Sequence, residues 1–326
     1  MSLNFKNGIC IAIIFFSCQL HADKYTQGST FAFADLLIWK LREGGADNWT
    51  QEISPAGTNQ DINVLSVPFK WDTGARLGIG HQYSYWDTIV AFTWFQTRAN
   101  SQASVSAGGL YSPFLGNFYV NNTIGTGFGP NYRSANVQWT VYFDVIDLEL
   151  GHSFKIDESL ILRPFVGLKG GFINQSIDTY WQDPTVATNF TSATENLKND
   201  FWGVGPSLGI DSAWPVYKFN LGVFNIFGNF SGALMWGHWS FKDLYQNNQP
   251  RSVTVNLDDI NGAATMARAL LGVEWIMNQR HSNLTLRLGY EAQVWFDQVQ
   301  FYSLNMGRLG NIMSLQGGVL GFCFYF

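Results

Sequence analysis

Between Asn283 and Gln298 the chain alternates with few interruptions. Leu284, Leu286, Leu288, Tyr290, Ala292, Val294 and Phe296 fall on one face, and Thr285, Arg287, Gly289, Glu291, Gln293 and Asp297 fall on the other. Only Trp295 is out of place. A period of two held over this length predicts a β-strand, not a helix, with one apolar and one polar face. The segment is also longer than the ~9–11 residues that a tilted strand needs to cross a bilayer. A polar face carrying Arg287 and Glu291 requires water or partners, and an apolar face requires lipid or a core.

The pattern recurs along the chain. Ala263–Met277 sets Ala267, Ala269, Leu271, Val273 and Trp275 against Arg268, Gly272 and Glu274. Arg163–Gln175 sets Pro164, Val166, Leu168 and Phe172 against Arg163, Gly167, Lys169 and Gly171. Phe201–Asp211 sets Trp202, Val204, Leu208 and Ile210 against glycines, Ser207 and Asp211, and Trp71–His81 sets Ala75, Leu77 and Ile79 against Gly74, Arg76, Gly78 and Gly80. Looser alternation marks Thr30–Leu41, Asp87–Arg98, Ala135–Gly151, Lys218–Phe241 and Asn311–Phe326. In Ala135–Gly151 the pattern slips between Val145 and Leu148, and a β-bulge there would turn Asp147 and Glu149 inward.

Both ends of the chain fit export to an outer membrane. The last residues, Phe322-Cys323-Phe324-Tyr325-Phe326, put three phenylalanines on one face of a final strand. Aromatics on a lipid face are a habit of transmembrane barrels. A strand ending in Phe also resembles the signal read by the bacterial outer-membrane assembly machinery, a partner expected through Phe326. Met1–Ala22 reads as a secretory signal peptide: Lys6, an apolar core from Ile9 to Phe16, and a cleavage site near Ala22. That core is too short to span a bilayer as a helix, and after Ala22 no stretch approaches the ~18 apolar residues a spanning helix needs. Any membrane crossing must therefore be made by strands, with residues 23–326 forming one outer-membrane β-barrel.

The connections predict how the strands are joined. Short links fall near Ser84, at His152–Ser159, Trp214–Tyr217 and Asn278–Ser282, and long polar links at Arg42–Lys70, Ala99–Ser134, Trp181–Asn199, Lys242–Gly262 and Gln300–Gly310. They alternate strictly, as periplasmic turns and extracellular loops do. The fold expected is all-β, an antiparallel transmembrane β-barrel of 10–12 strands with long extracellular loops. Ten strands follow directly. Twelve follow if Lys218–Phe241 is a hairpin turning at Gly228-Asn229 and Ser252–Leu257 is a separate short strand.

Composition narrows the function. Charged residues make up 13% of the chain and aromatics 16%, a balance poor in Lys and Glu for a soluble protein. Loss of Lys6 with the leader leaves 18 basic against 24 acidic residues, a net charge of −6, which argues against nucleic acid as a partner. Cys10 and Cys18 leave with the leader, so Cys323 has no intramolecular partner for a disulfide.

Several stretches together resemble the pore-forming major outer membrane protein family of Legionella, also found in Chlamydia-related bacteria. They are Phe33–Lys40, Lys70–Gly80, Asp144–Gly151, Leu162–Gly170 and Leu288–Trp295, spread over nearly the whole mature chain. Ala75 stands where the family would lead one to expect an aromatic, and cysteine is nearly absent, unlike the disulfide-linked chlamydial porins. The resemblance implies a porin-like barrel and names no solute.

By parity the inward, pore-lining side chains are Arg76, Arg163, Lys169, Asp211, Arg268, Glu274, Arg287 and Glu291, joined by Asp147 and Glu149 if the bulge exists. Rings of like charge in a water-filled lumen select ions. The signs here are mixed, and Arg268 and Glu274 precede Arg287 and Glu291 by one strand, which favours mutual pairing along the wall. The glycine-rich link Ala99–Ser134 has the length either to fold inward as a constriction or to stay on the surface. His81, His152, His238 and His281 are scattered without metal-ligand spacing, and no GxSxG occurs, so neither a catalytic site, a metal nor a cofactor is expected. Two functions fit. The first is a porin-like channel for passive diffusion of small hydrophilic solutes. The alternative is a closed barrel acting as a surface-exposed structural or adhesive protein. Outer-membrane lipid and lipopolysaccharide are the expected surroundings of either.

Overall fold

The computed structural model describes residues 28–44, 48–54, 61–112, 119–120, 123–124, 131–156, 160–186, 188–220, 222–248, 252–278, 283–303 and 307–326. The segment expected to be a leader cleaved near Ala22, His281, and Gly116, Gly125, Gly127 and Gly129 lie outside these residues. Ten long strands form the wall: β1 (Ser29–Glu43), β2 (Trp71–Tyr83), β3 (Trp86–Ser104), β4 (Tyr132–His152), β5 (Ile161–Pro184), β6 (Ser192–Phe219), β7 (Gly222–Asn247), β8 (Ser252–Asn278), β9 (Asn283–Ser303) and β10 (Gly307–Tyr325). Each pairs antiparallel with its chain neighbours, and β10 pairs with β1, so the sheet closes into an antiparallel β-barrel. At the seam Phe31 faces Tyr325 and Trp39 faces Gly317, and Thr30 and Phe326 exchange backbone hydrogen bonds of 3.1 and 2.9 Å. Closure leaves no unpaired edge in lipid, where an unsatisfied backbone group costs several kcal/mol.

Among the described residues the wall of the barrel has ten strands, not twelve. Lys218–Phe241 holds no hairpin at Gly228-Asn229: both residues pair in register across β7, and the chain turns between Phe219 and Gly222 instead. Ser252–Leu257 is the first part of β8. The link expected at Trp214–Tyr217 lies within β6, where the register shifts between Pro215 and Tyr217. Proline is tolerated at such an irregularity because the ladder is already interrupted there.

The bulge between Val145 and Leu148 is also absent. β4 pairs without a register shift from Ala135 to Gly151. Asp147 and Glu149 face inward because Trp139, Val141, Phe143 and Val145, on the same parity, face inward too. The apparent slip arose from assuming that large apolar side chains face lipid.

Three links read as long loops are largely wall. β5 and β6 run to Pro184 and from Ser192, β7 and β8 to Asn247 and from Ser252, and β9 and β10 to Ser303 and from Gly307. With 28 residues in β6 and 27 in β8, these strands far exceed a membrane crossing. Their outer ends stay paired because polarity inverts above the bilayer, with apolar side chains turned in and Asn174, Asp178, Asn196, Lys198 and Lys242 turned out.

The outer surface marks the membrane. Leu77, Ile79, Val90, Phe92, Ile146, Leu148, Val166, Leu168, Val204, Leu208, Leu234 and Leu288 are exposed on it. Trp94, Phe172, Trp202 and Trp236 cap that belt towards the long hairpins, and Tyr83, Trp86, Trp214, Tyr217, Phe324 and Phe326 towards the short turns. Such aromatic girdles sit at the two interfaces of a barrel's apolar band. Of three short strands, Asn48–Ile53 pairs with both Ile62–Ser66 and Gly109–Tyr111, and the last meets β4 through Leu110 and Tyr132. They form a cap at the end of the wall reached by the long hairpins. Part of the Ala99–Ser134 link thus folds back onto the barrel, with Leu110 and Ser112 buried.

Candidate functional site

The lumen is the part of the molecule where charge and topology converge, and it has three tiers. The lowest, towards the short turns, is a web of ion pairs. Arg76 on β2 reaches Glu291 on β9 at 2.8 Å and Asp35 on β1 at 3.3 Å, and its Nε donates to Thr93 Oγ1. Arg268 on β8 meets the same Glu291 at 3.1 Å. Arg163 on β5 gathers three carboxylates: Asp87 at 2.5 Å, Asp211 at 2.6 Å and Glu149 at 3.1 Å. Lys169 pairs with Asp147, and Arg287 with Glu274 at 3.0 Å. Asn229 donates to Asp211 and Asn225 to Glu274.

All eight residues singled out by parity project into the barrel, and each takes part in an ion pair. They meet four further carboxylates, Asp35, Asp87, Asp147 and Glu149. Asp35 and Asp87 were not singled out: their strands alternate loosely, since the inward parity of β1 also carries Leu37 and Trp39. The inward parity itself was the usable signal. Glycines make space for these long side chains. A side chain at Gly151 would strike the Arg163 guanidinium, 2.4 Å from where its Cβ would lie. Water reaches the lower end, because the side chains of Arg287 and Asp211 are 44% and 34% exposed.

The middle tier is aromatic and dry. Trp295 on β9 meets Phe143 on β4, the strand diametrically opposite, with ring centroids 5.3 Å apart. Trp39 on β1 touches Phe95 and the same Phe143 at 5.6 and 6.3 Å, and Phe201 on β6 stacks near Trp239 on β7 at 5.0 Å. Trp39, Phe95 and Trp139 have 0% of their surface accessible, and Trp295 has 1%. A side chain lining a water-filled bore keeps contact with solvent; these do not. Gly171 on β5 allows this packing, since a Cβ there would lie 3.3 Å from the Trp295 ring. Arg76 lies under Trp39, 5.7 Å from its ring, and ties the aromatic tier to the ionic one.

The upper tier is the cap. Phe69 packs edge-on to Trp139 at 5.6 Å, and Trp49 lies 6.0 Å from Trp181, which also meets Tyr132 at 5.4 Å. Glu195 on β6 and Asp243 on β7 share a hydrogen bond beneath it, and Ser112 donates to Glu195 at 3.5 Å. Burial first, and then Glu195, push the Asp243 carboxyl well above the usual carboxylate range. A cleft of about 300 Å³ opens beside this tier, lined by Trp239, Gly262, Ala263, Asp297, Gln300 and Gly310. Asp297 there has φ 52°, at a register shift between Trp295 and Val299. No metal-binding group of His, Cys, Asp or Glu occurs among the described residues.

A closed antiparallel wall with two aromatic girdles, an apolar outer belt and charges turned inward defines an outer-membrane β-barrel protein. The sequence profile described as Legionella pneumophila major outer membrane protein precursor matches residues 26–325. The chain belongs to the Legionella major outer membrane protein family, and its place is the bacterial outer membrane. A search of curated protein sequences finds no match. Among solved structures, the chain is similar to the outer membrane protease OmpT of Escherichia coli, at 11% identity and TM-score 0.43, covering 94% of this chain and 99% of that one. It is also similar to a FadL homologue of Pseudomonas aeruginosa, at 7% identity and TM-score 0.26, covering 92% and 90%. A third likeness is to the toluene transporter TodX of Pseudomonas putida, at 8% identity and TM-score 0.21, covering 92% and 89%.

Proposed function

We propose that this protein is a barrel closed to diffusion, a non-enzymatic structural or adhesive component of the cell surface whose work is done by its extracellular extension. The observation that supports this reading is the contact of Trp295 with Phe143 across the full width of the lumen, within a tier that water does not touch. A small barrel filled by its own side chains has no continuous aqueous path. Export by the leader ending near Ala22, and recognition of the strand ending at Phe326 by the assembly machinery, are parts of the same proposal.

The second reading is a porin-like channel for small hydrophilic solutes. It is favoured by the polar lower tier, which water enters as far as Arg287 and Asp211. Conduction on this reading requires the aromatic tier and the cap to move aside. Planar-bilayer recording of the purified protein separates the two. Silence over long recordings supports the closed barrel, and stepwise ion current overturns it in favour of the channel.

A further inference from the structure

The outer wall carries an uneven distribution of charge at the upper girdle. Lys40 and Arg42 project outward from β1, Lys70 directly precedes the exposed Trp71 of β2, and Arg98 projects outward from β3. Lys40 is in register with Trp71 on one side and Gln316 on the other, and Arg42 with Ser314. Arg98 is in register with Thr140, to which its Nε donates at 3.3 Å. Four cations therefore surround one tryptophan over three adjacent strands, and their register neighbours are neutral. None of the four makes an ion pair among the described residues, in contrast to the cations of the lumen. The nearest acids along these strands, Glu43 and Asp72, have inward parity; Glu43 is buried and Asp72 accepts from Thr97.

Like charges on neighbouring strands repel, so an uncompensated cluster is a cost unless an anion joins it. Directly below, the wall is apolar and grooved. Gly318 of β10 is in register with Ile38 and Tyr290, both exposed on the outer surface, and a methyl group placed on it would touch nothing within 4 Å. It lies two residues below Gln316, roughly 7 Å along the strand from the level of Lys40. Cations at the interface above an apolar furrow fit a molecule with phosphate at its head and several acyl chains beneath.

We propose that Lys40, Arg42, Lys70 and Arg98, with Trp71 and the furrow over Gly318, form a binding site for a phosphorylated glycolipid of the outer leaflet. The cations hold the phosphates, the indole lies at headgroup level where tryptophan is favoured, and an acyl chain occupies the furrow. The opposite wall does not offer the same site. Lys198 and Lys242 face each other there in register, but the carboxylate of Asp200 stands beside them on the same face and interacts with Lys198.

The test titrates refolded full-length protein in neutral detergent micelles with bis-phosphorylated lipid A, counting bound lipid by native mass spectrometry. Wild type should retain lipid A, and the quadruple variant K40Q/R42Q/K70Q/R98Q should bind at least about tenfold more weakly, since each basic residue near an anionic surface contributes roughly fivefold. The variant K198Q/K242Q should bind as wild type does. Dephosphorylated lipid A should lose affinity for wild type, and Gly318→Phe, which fills the furrow and leaves every cation in place, should weaken binding several-fold. Heat-modifiable gel migration checks folding of each variant; if the quadruple fails to fold, Gly318→Phe and the dephosphorylated lipid carry the test. The proposal is overturned if the quadruple variant binds like wild type, or if K198Q/K242Q loses as much. It is also overturned if dephosphorylated lipid binds equally well, or if inorganic phosphate alone displaces the lipid.

Discussion

Trp295 meets Phe143 edge to face, planes at 88°, although the two residues stand on strands facing each other across the barrel. Deleting one ring should loosen the molecule and leave a space in its middle tier. Trp295→Ala removes a buried indole and should cost about 3–5 kcal/mol, with a coupling of about 0.5–1.5 kcal/mol to Phe143 in a double-mutant cycle. Urea unfolding followed by gel mobility reads the first effect. The double variant with Phe143→Ala should let water into the middle tier from the tier below, read as a red shift of the remaining tryptophan fluorescence, with the cap still closing the upper end.

Glu291 is wholly buried and holds both Arg76 and Arg268. Glu291→Gln leaves two guanidiniums without their shared counter-charge, and breaking a buried pair from one side costs about 3–5 kcal/mol. Arg287→Gln should cost far less, since Arg287 is 44% exposed and solvent screens its bond to Glu274. Equal losses in thermal melts of the two variants would show that the web does not act through burial.

The acid pair under the cap predicts a pH dependence. Asp243 lies seven residues beyond the girdle residue Trp236, and Glu195 seven before Trp202 in the descending strand, so both are well outside the bilayer. The raised Asp243 value means that the folded state keeps a proton which the unfolded state releases at ordinary carboxylate pH. Between those two values the native form binds more protons, so stability falls as pH rises through the folded value. The melting temperature should therefore fall as pH rises from the ordinary carboxylate range through the raised Asp243 value. Asp243→Asn, which keeps a donor towards Glu195 at every pH, should flatten the profile; an unchanged slope would rule the pair out.

Glycines on the inner wall test the packing. A Cβ at Gly205 would lie 2.2 Å from the Leu234 carbonyl oxygen and 2.6 Å from the Met235 Cα, both backbone atoms that cannot swing away. Gly205→Ala should destabilise by about 1–3 kcal/mol through displacement of the wall between β6 and β7. A melting curve superimposed on wild type would show that the two strands part without strain.

The sequence made the wall legible wherever one face met lipid and the other met charge. Arg163–Gln175 and Asn283–Gln298 both satisfy that condition in their lower halves, and the parity of Lys169, Arg287 and Glu291 is that of the structure. Above the girdle both signs reverse. Trp295, which breaks the pattern as a sequence, is the point where β9 passes from lipid to water outside and from ions to aromatics inside. A strand whose two faces exchange roles halfway looks like a slip, as Ala135–Gly151 did, or like a polar loop, as Trp181–Asn199 did. Partners across the lumen were beyond reach for another reason: Arg76 and Glu291 lie 215 residues apart, and only closure of the sheet brings them together.

The seam between Ser29–Glu43 and the final strand sets an order on how the cylinder is made. Hairpins along the chain can zip locally, but the first stave waits for the last, and loop closure over so long a separation is slow. Until that moment a greasy sheet has two raw margins, each able to recruit a stranger's strand. Crowding among nascent copies is therefore the hazard this topology carries until closure, whatever the finished vessel goes on to do.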